Sequence, residues 1–558
     1  MKTDKFQKSL PRLPIPKLHD TLRRYLDSQR ALLPEDSPEY RYTEKMASEF
    51  EQGAGPALDR SLRSRDKSNK HTSYISDFWF DTYLKSRTPI VLNYNPFIML
   101  KDEDRPMLND QLIRATNLIV SSLRFRNAHQ ENCLDPDVYH LNASKSDTMQ
   151  FRKLIKMVPD RMAWFVAYLH KAYPLDMSQY PNLFASTRLP LIGRDKLTSH
   201  PEARHIVVIR NKKFFSFDVY DENGHIVDPK LIYSNLKYIC EHYTHDENDS
   251  SLGLLTTMER DKWAKVRAKM IENSKNEVAL DKIDKALFVV CLDDNSPESV
   301  SDTVKHFLCG EAQNRWFDKC FQLIVTPKGQ AAVNFEHSWG DGIAVLRYIN
   351  EVRSDSMHKP SVSLETDFNL KEATVKPLEF HVDDELVHVV KKAKEELDKK
   401  VDKLEISVCQ QKNLTKSDVK ASKLSPDAIL QLAIQLSYYR LTNGGVAPTY
   451  ESCSTAAFRH GRTETIRSAT CETREACRLI GDTVNFGAIS NAMVEAVRKS
   501  SAKHGQLTKE AAMGQGWDRH LMALRYLAEM GVAAKNHEAA EKGTSAISLF
   551  TCPFLNYH

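Results

Sequence analysis

The stretch that decides the fold is Asn334-Phe335-Glu336-His337-Ser338-Trp339-Gly340-Asp341-Gly342. Two apolar runs precede it, at residues 321–326 and 331–336, and the Pro327-Lys328-Gly329 segment between them is typical of a hairpin turn. Residues 343–352 follow with apolar side chains at helical spacing. The pattern therefore predicts a strand, a glycine-flanked turn that carries His337, and then a helix.

His337 occupies the kind of loop in which rigid scaffolds hold reactive side chains. A neutral histidine beside an acidic group can act as a general base that takes the proton of a hydroxyl or a thiol. Asp341 lies four residues further on, so one helical turn would return its carboxylate to the histidine's side, where it could orient the imidazole. For the motif alone, the commoner alternative is that both residues only cap the turn and the helix.

Several segments around this motif resemble the carnitine/choline acyltransferase family. The resemblance runs from about Leu10 to about Leu527 and is nearest to the long-chain members of the inner mitochondrial membrane. It is carried by residues 315–342, by Leu10-Pro11-Arg12-Leu13-Pro14-Ile15-Pro16-Lys17-Leu18, by Tyr450-Glu451-Ser452-Cys453-Ser454-Thr455, by Gly461-Arg462-Thr463-Glu464, and by residues 70–76, 172–180 and 505–510.

The chain length and the local patterns predict a two-domain α/β protein. With 558 residues the chain is too long for one core, and strand-like runs at 205–210, 214–219, 225–227 and 287–292 alternate with helical patterns such as 260–273, 383–404 and 426–441. The resemblance implies mixed sheets covered by helices, in the chloramphenicol-acetyltransferase-like fold, with the active site between the domains. We expect a helical segment at 1–70 that packs on the second domain, a first α/β domain at 71–378, and a second, C-terminally incomplete α/β domain at 379–558.

The composition excludes several classes of protein. Charged residues make up 27% of the chain and the net charge is +4, and no basic tract is interleaved with aromatics, so nucleic acid is not an expected partner. The ten cysteines show no Cys-x-x-Cys spacing, which favours reduced thiols and no metal site. No apolar run reaches the length of a membrane span, so membrane contact should be peripheral.

The resemblance implies reversible transfer of a long-chain acyl group, such as palmitoyl, between coenzyme A and L-carnitine in mitochondrial fatty acid oxidation. His337 would be the general base, Asp341 and Arg462 would form a pair beside it, and coenzyme A and carnitine would be substrates, with no cofactor. No Gly-x-Ser-x-Gly elbow or reactive cysteine context suggests a covalent acyl-enzyme. A medium- or short-chain carnitine acyltransferase is an alternative.

The resemblance also assigns the binding residues. For carnitine, a buried arginine would balance the carboxylate, and hydroxyl and aromatic groups would surround it; these residues are Tyr450, Ser452, Thr463, Arg519, Trp79 and Tyr83. For coenzyme A, lysines would face the phosphates; the set is Lys416, Lys420, Lys423, Ser425 and Asp427. Without the resemblance, the three lysines are more typical of a solvated face.

Residues 144–171 combine an apolar helical face with basic and aromatic residues. Phe151, Leu154 and Ile155 share one face, and Pro159 separates this segment from a second helical pattern. From pattern alone, a surface helix packed on a core is the better interpretation. The resemblance favours a membrane-contacting insert on the matrix side of the inner mitochondrial membrane.

The two ends of the sequence depart from the family pattern. No Ser-Thr-Ser follows Arg519, although the family uses that motif to hold carnitine and the developing oxyanion, and residues 1–5 do not resemble a mitochondrial presequence. We therefore expect a truncated chain that is inactive or nearly so. The alternative function from a different class is an impaired isoform that binds coenzyme A or membrane without turnover.

Overall fold

The computed structural model describes residues 1–243, 251–481 and 489–531. These residues form two compact units. Unit 1 contains residues 1–4, 80–136 and 177–409, and unit 2 contains residues 5–79, 137–176 and the described residues from 410 onward. Residues 144–171, which we assigned to the first domain, thus fall in unit 2, and the helix predicted at 383–404, which we assigned to the second, falls in unit 1. The predicted domain boundaries stay a prediction.

The described α-helices, in chain order, are α1 (Leu18–Gln29), α2 (Pro38–Gln52), α3 (Gly55–Ser68), α4 (Ser76–Leu84), α5 (Gln111–Gln130), α6 (Ala143–Ser146), α7 (Met149–Met157), α8 (Asp160–Leu169), α9 (Pro229–His242), α10 (Arg260–Met270), α11 (Ser274–Lys285), α12 (Val300–Leu308), α13 (Gly342–His358), α14 (Asp384–Val401), α15 (Lys416–Ala421), α16 (Pro426–Leu441), α17 (Cys471–Gly481), α18 (Asn491–Ala512) and α19 (Asp518–Glu529). Short 3-10 turns lie at Pro106–Asn109, Tyr180–Asn182, Leu252–Thr257, Ala312–Asn314 and Leu370–Glu372.

The described strands are β1 (Phe97–Leu100), β2 (Val138–His140), β3 (Ala172–Pro174), β4 (Ser186–Leu189), β5 (Lys196–Ser199), β6 (His205–Arg210), β7 (Lys213–Asp218), β8 (Val289–Leu292), β9 (Phe321–Val325), β10 (Ala331–Phe335), β11 (Lys376–Pro377), β12 (Glu451–Ser454) and β13 (Thr463–Ile466).

Unit 1 is built on a seven-stranded mixed sheet in the order β1-β10-β9-β8-β6-β7-β11. The central pairs β6–β8 and β8–β9 are parallel, and the outer pairs are antiparallel. Along β6, Ile206 and Val208 belong to the core cluster on one face, while Val207 and Ile209 belong to the cluster on the other. Both faces are therefore covered, which explains why the central strands are continuous apolar runs rather than alternating ones.

The hairpin between β9 and β10 positions the turn that carries His337. Gly329 in the connecting turn has φ +75°, and a Cβ there would lie 1.8 Å from the carbonyl oxygen of Asn109, so only glycine fits. Ala331 pairs with Val325 and Phe335 with Phe321, so the whole strand is held by its neighbour up to the residue before Glu336. The chain then turns and enters α13 at Gly342.

Unit 2 is mainly helical in its described part. One core cluster joins α1, α2 and α3 to α19 through residues such as Tyr25, Phe50, Leu62 and Leu524. The strands β12 and β13 pair antiparallel, as do β2 and β3. A mixed sheet, which we expected in both domains, lies in unit 1, and the described strands of unit 2 form two-stranded antiparallel sheets.

The mixed α/β class is confirmed, and most predicted elements have their counterparts. The strands at 205–210, 321–326 and 331–336 and the helix at 426–441 match within one residue. The third run at 225–227 is not a strand: it makes one isolated bridge, from Tyr220 to Ile226. Among the described helices, none has the length and apolar content that crossing a bilayer requires.

Candidate active site

His337 lies between the end of β10 and the start of α13, as the sequence predicts. Asp341 is the residue before α13, with extended backbone angles (φ −97°, ψ 157°). Gln179 fixes this corner: its side-chain oxygen accepts the Asp341 amide at 2.7 Å, and its side-chain nitrogen donates to the Asp341 carboxylate at 2.9 Å. The start of the helix is therefore held from outside the motif.

The imidazole of His337 is oriented by a backbone group. Its Nδ1 lies 2.9 Å from the carbonyl oxygen of Gly340. Because a carbonyl only accepts hydrogen bonds, Nδ1 carries the hydrogen, and in the neutral ring the lone pair lies on Nε2. The Gly340 carbonyl thus helps to orient the ring, and the Asp341 carboxylate accepts a hydrogen bond from Gln179. The orienting role expected for Asp341 stays a prediction.

Aromatic rings flank the half-buried His337. The ring centroids of Tyr83 and Phe335 lie 5.4 Å and 5.7 Å from that of the imidazole. The hydrogen bond to the Gly340 carbonyl fixes the direction of Nε2. The arrangement can accept a proton from a hydroxyl or a thiol, which is the chemistry of a general base.

The strands β12 and β13 carry a row of hydroxyl groups in unit 2. Ser452 stands opposite Thr465, and Ser454 stands opposite Thr463, so these four side chains share one face of the two-stranded sheet. Thr465 was not among the residues we predicted, and alternation with Thr463 along the strand was the signal that could have found it. Its hydroxyl is buried, with no hydrogen-bond partner among the described residues.

Arg519, on the first turn of α19, reaches this hydroxyl face. Its Nε donates to the Thr463 carbonyl at 2.7 Å, and its Nη2 lies 3.3 Å from both the Tyr450 hydroxyl and the Thr463 hydroxyl. The guanidinium carbon lies 4.4 Å from the ring centroid of Trp79, within cation–π range. The structure thus places three of the predicted carnitine residues, Tyr450, Thr463 and Trp79, around the buried positive charge of a fourth, Arg519.

Glu464 adds a carboxyl group next to this arginine. It is 2% exposed, and its Oε1 accepts the Thr465 amide at 2.9 Å and the Arg519 amide at 3.4 Å. Burial raises the pKa of Glu464 above its ordinary value, and the Arg519 charge opposes that rise. Burial lowers the pKa of Arg519, but the neighbouring Tyr450 and Glu464 outweigh it, so the pKa is raised overall and the guanidinium stays charged.

The remaining catalytic and carnitine candidates belong partly to unit 1 and partly to unit 2. Arg462 is buried in unit 2, with its guanidinium carbon 5.7 Å from the Trp79 ring centroid. Asp341 and Tyr83 belong to unit 1, and the pairing of Asp341 with Arg462 stays a prediction. Ser452 is exposed on the hydroxyl face.

The predicted coenzyme A residues lie on α15 and at the start of α16. Lys416 and Lys420 are exposed and one helical turn apart, so both ammonium groups can face the same anion. Lys423 is exposed in the loop that follows. Ser425 caps α16 by accepting the Ala428 amide, and Asp427 is exposed in the first turn of that helix. The structure places all five within one short segment.

Of the side chains predicted to meet the membrane, Phe151 and Ile155 are buried and Leu154 is half-buried. Phe151 and Ile155 on α7 are 4% and 0% exposed, so these side chains pack inside unit 2, and replacing them would damage the fold. The exposed apolar side chains of this region point the other way. They are Met149, Met157, Met162, Phe165 and Leu169, which are 51–77% exposed. We call them the membrane patch after the role predicted for this segment. Exposed basic residues accompany it at Lys145, Lys153, Lys156, Arg161 and Lys171.

Comparison with known proteins defines the family to which the chain belongs. The family model "Choline/Carnitine o-acyltransferase" matches residues 13–557. The chain belongs to this family and is an acyltransferase.

Individual relatives sharpen the comparison. The chain is 48% identical to "Carnitine O-palmitoyltransferase 2, mitochondrial" of Xenopus tropicalis over 526 residues, which cover 94% of this chain and 79% of the relative. It is 48% identical to the Homo sapiens protein of the same name over 528 residues, with the same coverage. It is 30% identical to "Carnitine O-acetyltransferase" of Homo sapiens over 541 residues, covering 93% of this chain and 79% of that protein.

Proposed function

We propose that this acyltransferase moves a long-chain acyl group reversibly between coenzyme A and L-carnitine, with His337 as the general base. The observation that carries the proposal is the 2.9 Å contact between His337 Nδ1 and the Gly340 carbonyl, because it directs the lone pair of the neutral ring to Nε2. The higher identity to palmitoyltransferases, 48% against 30% for an acetyltransferase, supports a long acyl chain.

The proposed reaction is a direct transfer. Nε2 of His337 takes the proton of the carnitine hydroxyl as its oxygen attacks the thioester carbonyl carbon. The tetrahedral intermediate then expels the coenzyme A thiolate, the C–S bond breaks, and the imidazolium returns its proton to the sulfur. Acylcarnitine and free coenzyme A result, His337 regains its starting state, and no acyl-enzyme forms. In the reverse direction the thiol is deprotonated instead.

Carnitine recognition is assigned to the Arg519 centre. The substrate carries a carboxylate, and a buried guanidinium beside the hydroxyls of Tyr450 and Thr463 supplies charge and hydrogen bonds to such a group. Thr465 adds a buried hydroxyl on the same face. The other carnitine residues predicted from the sequence are Ser452, Trp79 and Tyr83.

Coenzyme A recognition is assigned to α15 and the start of α16. Lys416 and Lys420 would neutralise phosphate charge, with Lys423 beside them, and Ser425 and Asp427 would approach the less charged part of the molecule. Lysine suits this task because a compact ammonium group attracts phosphate without demanding one fixed geometry.

We further propose that the enzyme acts at the matrix side of the inner mitochondrial membrane, as a peripheral protein. The two relatives named as palmitoyltransferases are also named mitochondrial, and the membrane patch offers apolar side chains next to lysines. Such a surface suits the interface of an anionic bilayer, where a long-chain substrate is most concentrated. In this proposal the membrane patch makes the contact, and the buried Phe151 and Ile155 do not.

Substrate competition tests the function. The assay uses residues 1–558 and a chimera that adds the C-terminal region of the Xenopus tropicalis relative. Each is offered acetyl-, octanoyl- and palmitoyl-CoA together with carnitine or choline. We expect palmitoylcarnitine as the main product. Preference for acetyl-CoA or octanoyl-CoA would favour the shorter-chain alternative, and binding of palmitoyl-CoA by both proteins without any transfer would favour the non-catalytic one.

A further inference from the structure

Arg188, on strand β4 of unit 1, uses every nitrogen of its guanidinium group. The side chain is 0% exposed. Its Nε donates to the Asp195 carboxylate at 2.7 Å, its Nη1 to the Glu336 carboxylate at 3.0 Å, and its Nη2 to the carbonyl oxygen of Tyr83 at 2.7 Å. One side chain therefore holds residues of three segments of the chain, two of which are distant from it in sequence. A planar guanidinium with fixed donor directions can do this, and a lysine cannot.

Two of those three segments flank His337. Glu336 directly precedes it, and the Glu336 carboxylate also accepts the backbone amide of Ser338 at 3.1 Å and its hydroxyl. The residues on both sides of the base are thus tied to a single carboxylate, which Arg188 fixes. Tyr83, whose carbonyl Arg188 holds, provides the ring that lies 5.4 Å from the imidazole.

The carboxylate of Asp195 beside Arg188 pairs with two further arginines. Asp195 also accepts Arg260 Nε at 2.7 Å, and its other oxygen lies 3.2 Å from Arg87 Nη2. Buried ion pairs often contribute little net stability, because desolvation offsets their attraction, and apolar residues can replace them without loss. A contribution to stability therefore explains this network poorly. A role in fixing the geometry of the neighbouring turn explains it better.

We propose that Arg188 is a positioning residue for the general base: through Glu336 and Tyr83 it holds His337 so that Nε2 keeps the direction required for proton transfer. The proposal rests on the proposed role of His337. Arg188 itself touches no reacting atom. Its loss should slow the chemical step and leave the affinity for both substrates unchanged.

The test compares Arg188→Lys with Arg114→Lys in the chimera described above. Arg114 is a matched control because it is 1% exposed and also holds several segments, donating to Asp102 and Asn109 and to the Lys101 carbonyl, at the opposite end of β10 from His337. For both variants, kcat, the KM of each substrate and the melting temperature are measured. Misplacing a catalytic group by about 1 Å can cost about a hundred-fold in rate.

We expect Arg188→Lys to lower kcat by about ten- to a hundred-fold with both KM values within about twofold. Arg114→Lys should lose similar thermal stability and keep kcat. Wild-type kcat in folded Arg188→Lys, or equal loss of kcat in both variants, would overturn the proposal. If Arg188→Lys does not fold, Glu336→Gln replaces it: this variant weakens the Arg188 contact from its other end, and an unchanged kcat in it would equally overturn the proposal. His337→Ala with undiminished turnover would instead refute the proposed function, whatever Arg188 does.

Discussion

The Nη2 atom of Arg519 lies 3.3 Å from the hydroxyl oxygen of Tyr450, which joins a helix residue to a residue next to β12. Tyr450 is 40% exposed, whereas Arg519 is 4% exposed. The hydrogen bond therefore links the buried, permanently charged side chain of Arg519 to a side chain at the surface of unit 2. An anion that meets the tyrosine hydroxyl comes under the influence of the guanidinium behind it.

The first prediction follows from that contact. Arg519→Gln and Tyr450→Phe should each raise the carnitine KM by more than about tenfold, because each removes a partner of a charged hydrogen-bonded group worth about 2–5 kcal/mol. The palmitoyl-CoA KM should stay within about twofold. Initial rates in the chimera provide the measurement, and Arg474→Gln, whose arginine donates to the Arg30 carbonyl, is the control. Equal effects on both KM values would contradict the assignment to carnitine.

The second prediction concerns coenzyme A. Lys416→Ala combined with Lys420→Ala should raise the acyl-CoA KM and weaken its dependence on ionic strength, because two positive charges facing phosphate are removed. The carnitine KM should not change. Lys392→Ala, which removes an exposed lysine from α14, serves as the matched control. If the double variant and the control behave alike, the lysines of α15 are only a solvated face.

The third prediction concerns the membrane patch. Met162→Ser, Phe165→Ser and Leu169→Ser together should release the protein from vesicles of phosphatidylcholine and phosphatidylglycerol, because the apolar area available for insertion is lost. The control removes the same number of exposed apolar side chains from α16, with Leu430→Ser, Ile434→Ser and Leu441→Ser. Co-sedimentation measures binding. The patch has no membrane role if both triple variants bind as the wild type does.

The fourth prediction concerns pH and stability. Burial lowers the pKa of His205 on β6 to about 4, and its Nε2 donates to the Lys282 carbonyl at 2.8 Å. The unfolded chain takes up this proton near pH 6.5 and the folded one does not. Stability is therefore lost as pH falls from about 6.5 to 4, by about 3 kcal/mol in full.

Denaturant unfolding at several pH values checks this. His205→Gln keeps a donor for Lys282 and should flatten the fall in the free energy of unfolding. His225→Gln, at an exposed position, should keep the wild-type slope. An identical slope in His205→Gln and the wild type would show that other groups cause the acid sensitivity.

Local sequence pattern was sufficient for the setting of His337. The apolar runs on each side of Pro327-Lys328-Gly329, and the helical spacing after Gly342, predict β9, β10 and α13 closely. The run at 225–227 looked like a strand but forms only a bridge, because its few residues follow a turn and find no long partner. The pattern at 144–171 predicts helical segments separated at Pro159, and α7 and α8 lie on the two sides of that proline. It could not tell that the face with Phe151 and Ile155 packs inward while the side chains around Phe165 face solvent.

Long-range contacts could not be predicted. Glu336 is far from Arg188 in the sequence, and Asp195 is separated from Arg188 by the turn between β4 and β5. In the sequence alone, each of the three is an ordinary charged residue. The group that accepts a hydrogen bond from His337 is the backbone carbonyl of Gly340, and no side chain in the sequence indicates such a contact. Gln179 was missed for the same reason.

The most direct test of the account is the rate of palmitoylcarnitine formation by the chimera with and without His337→Ala, with palmitoyl-CoA binding measured on the same samples. General-base catalysis contributes about 10²–10⁴-fold, so the variant should lose nearly all turnover while binding palmitoyl-CoA as the wild type does. A folded His337→Ala protein that retains more than a few per cent of the wild-type rate would contradict the assignment of His337 as the base.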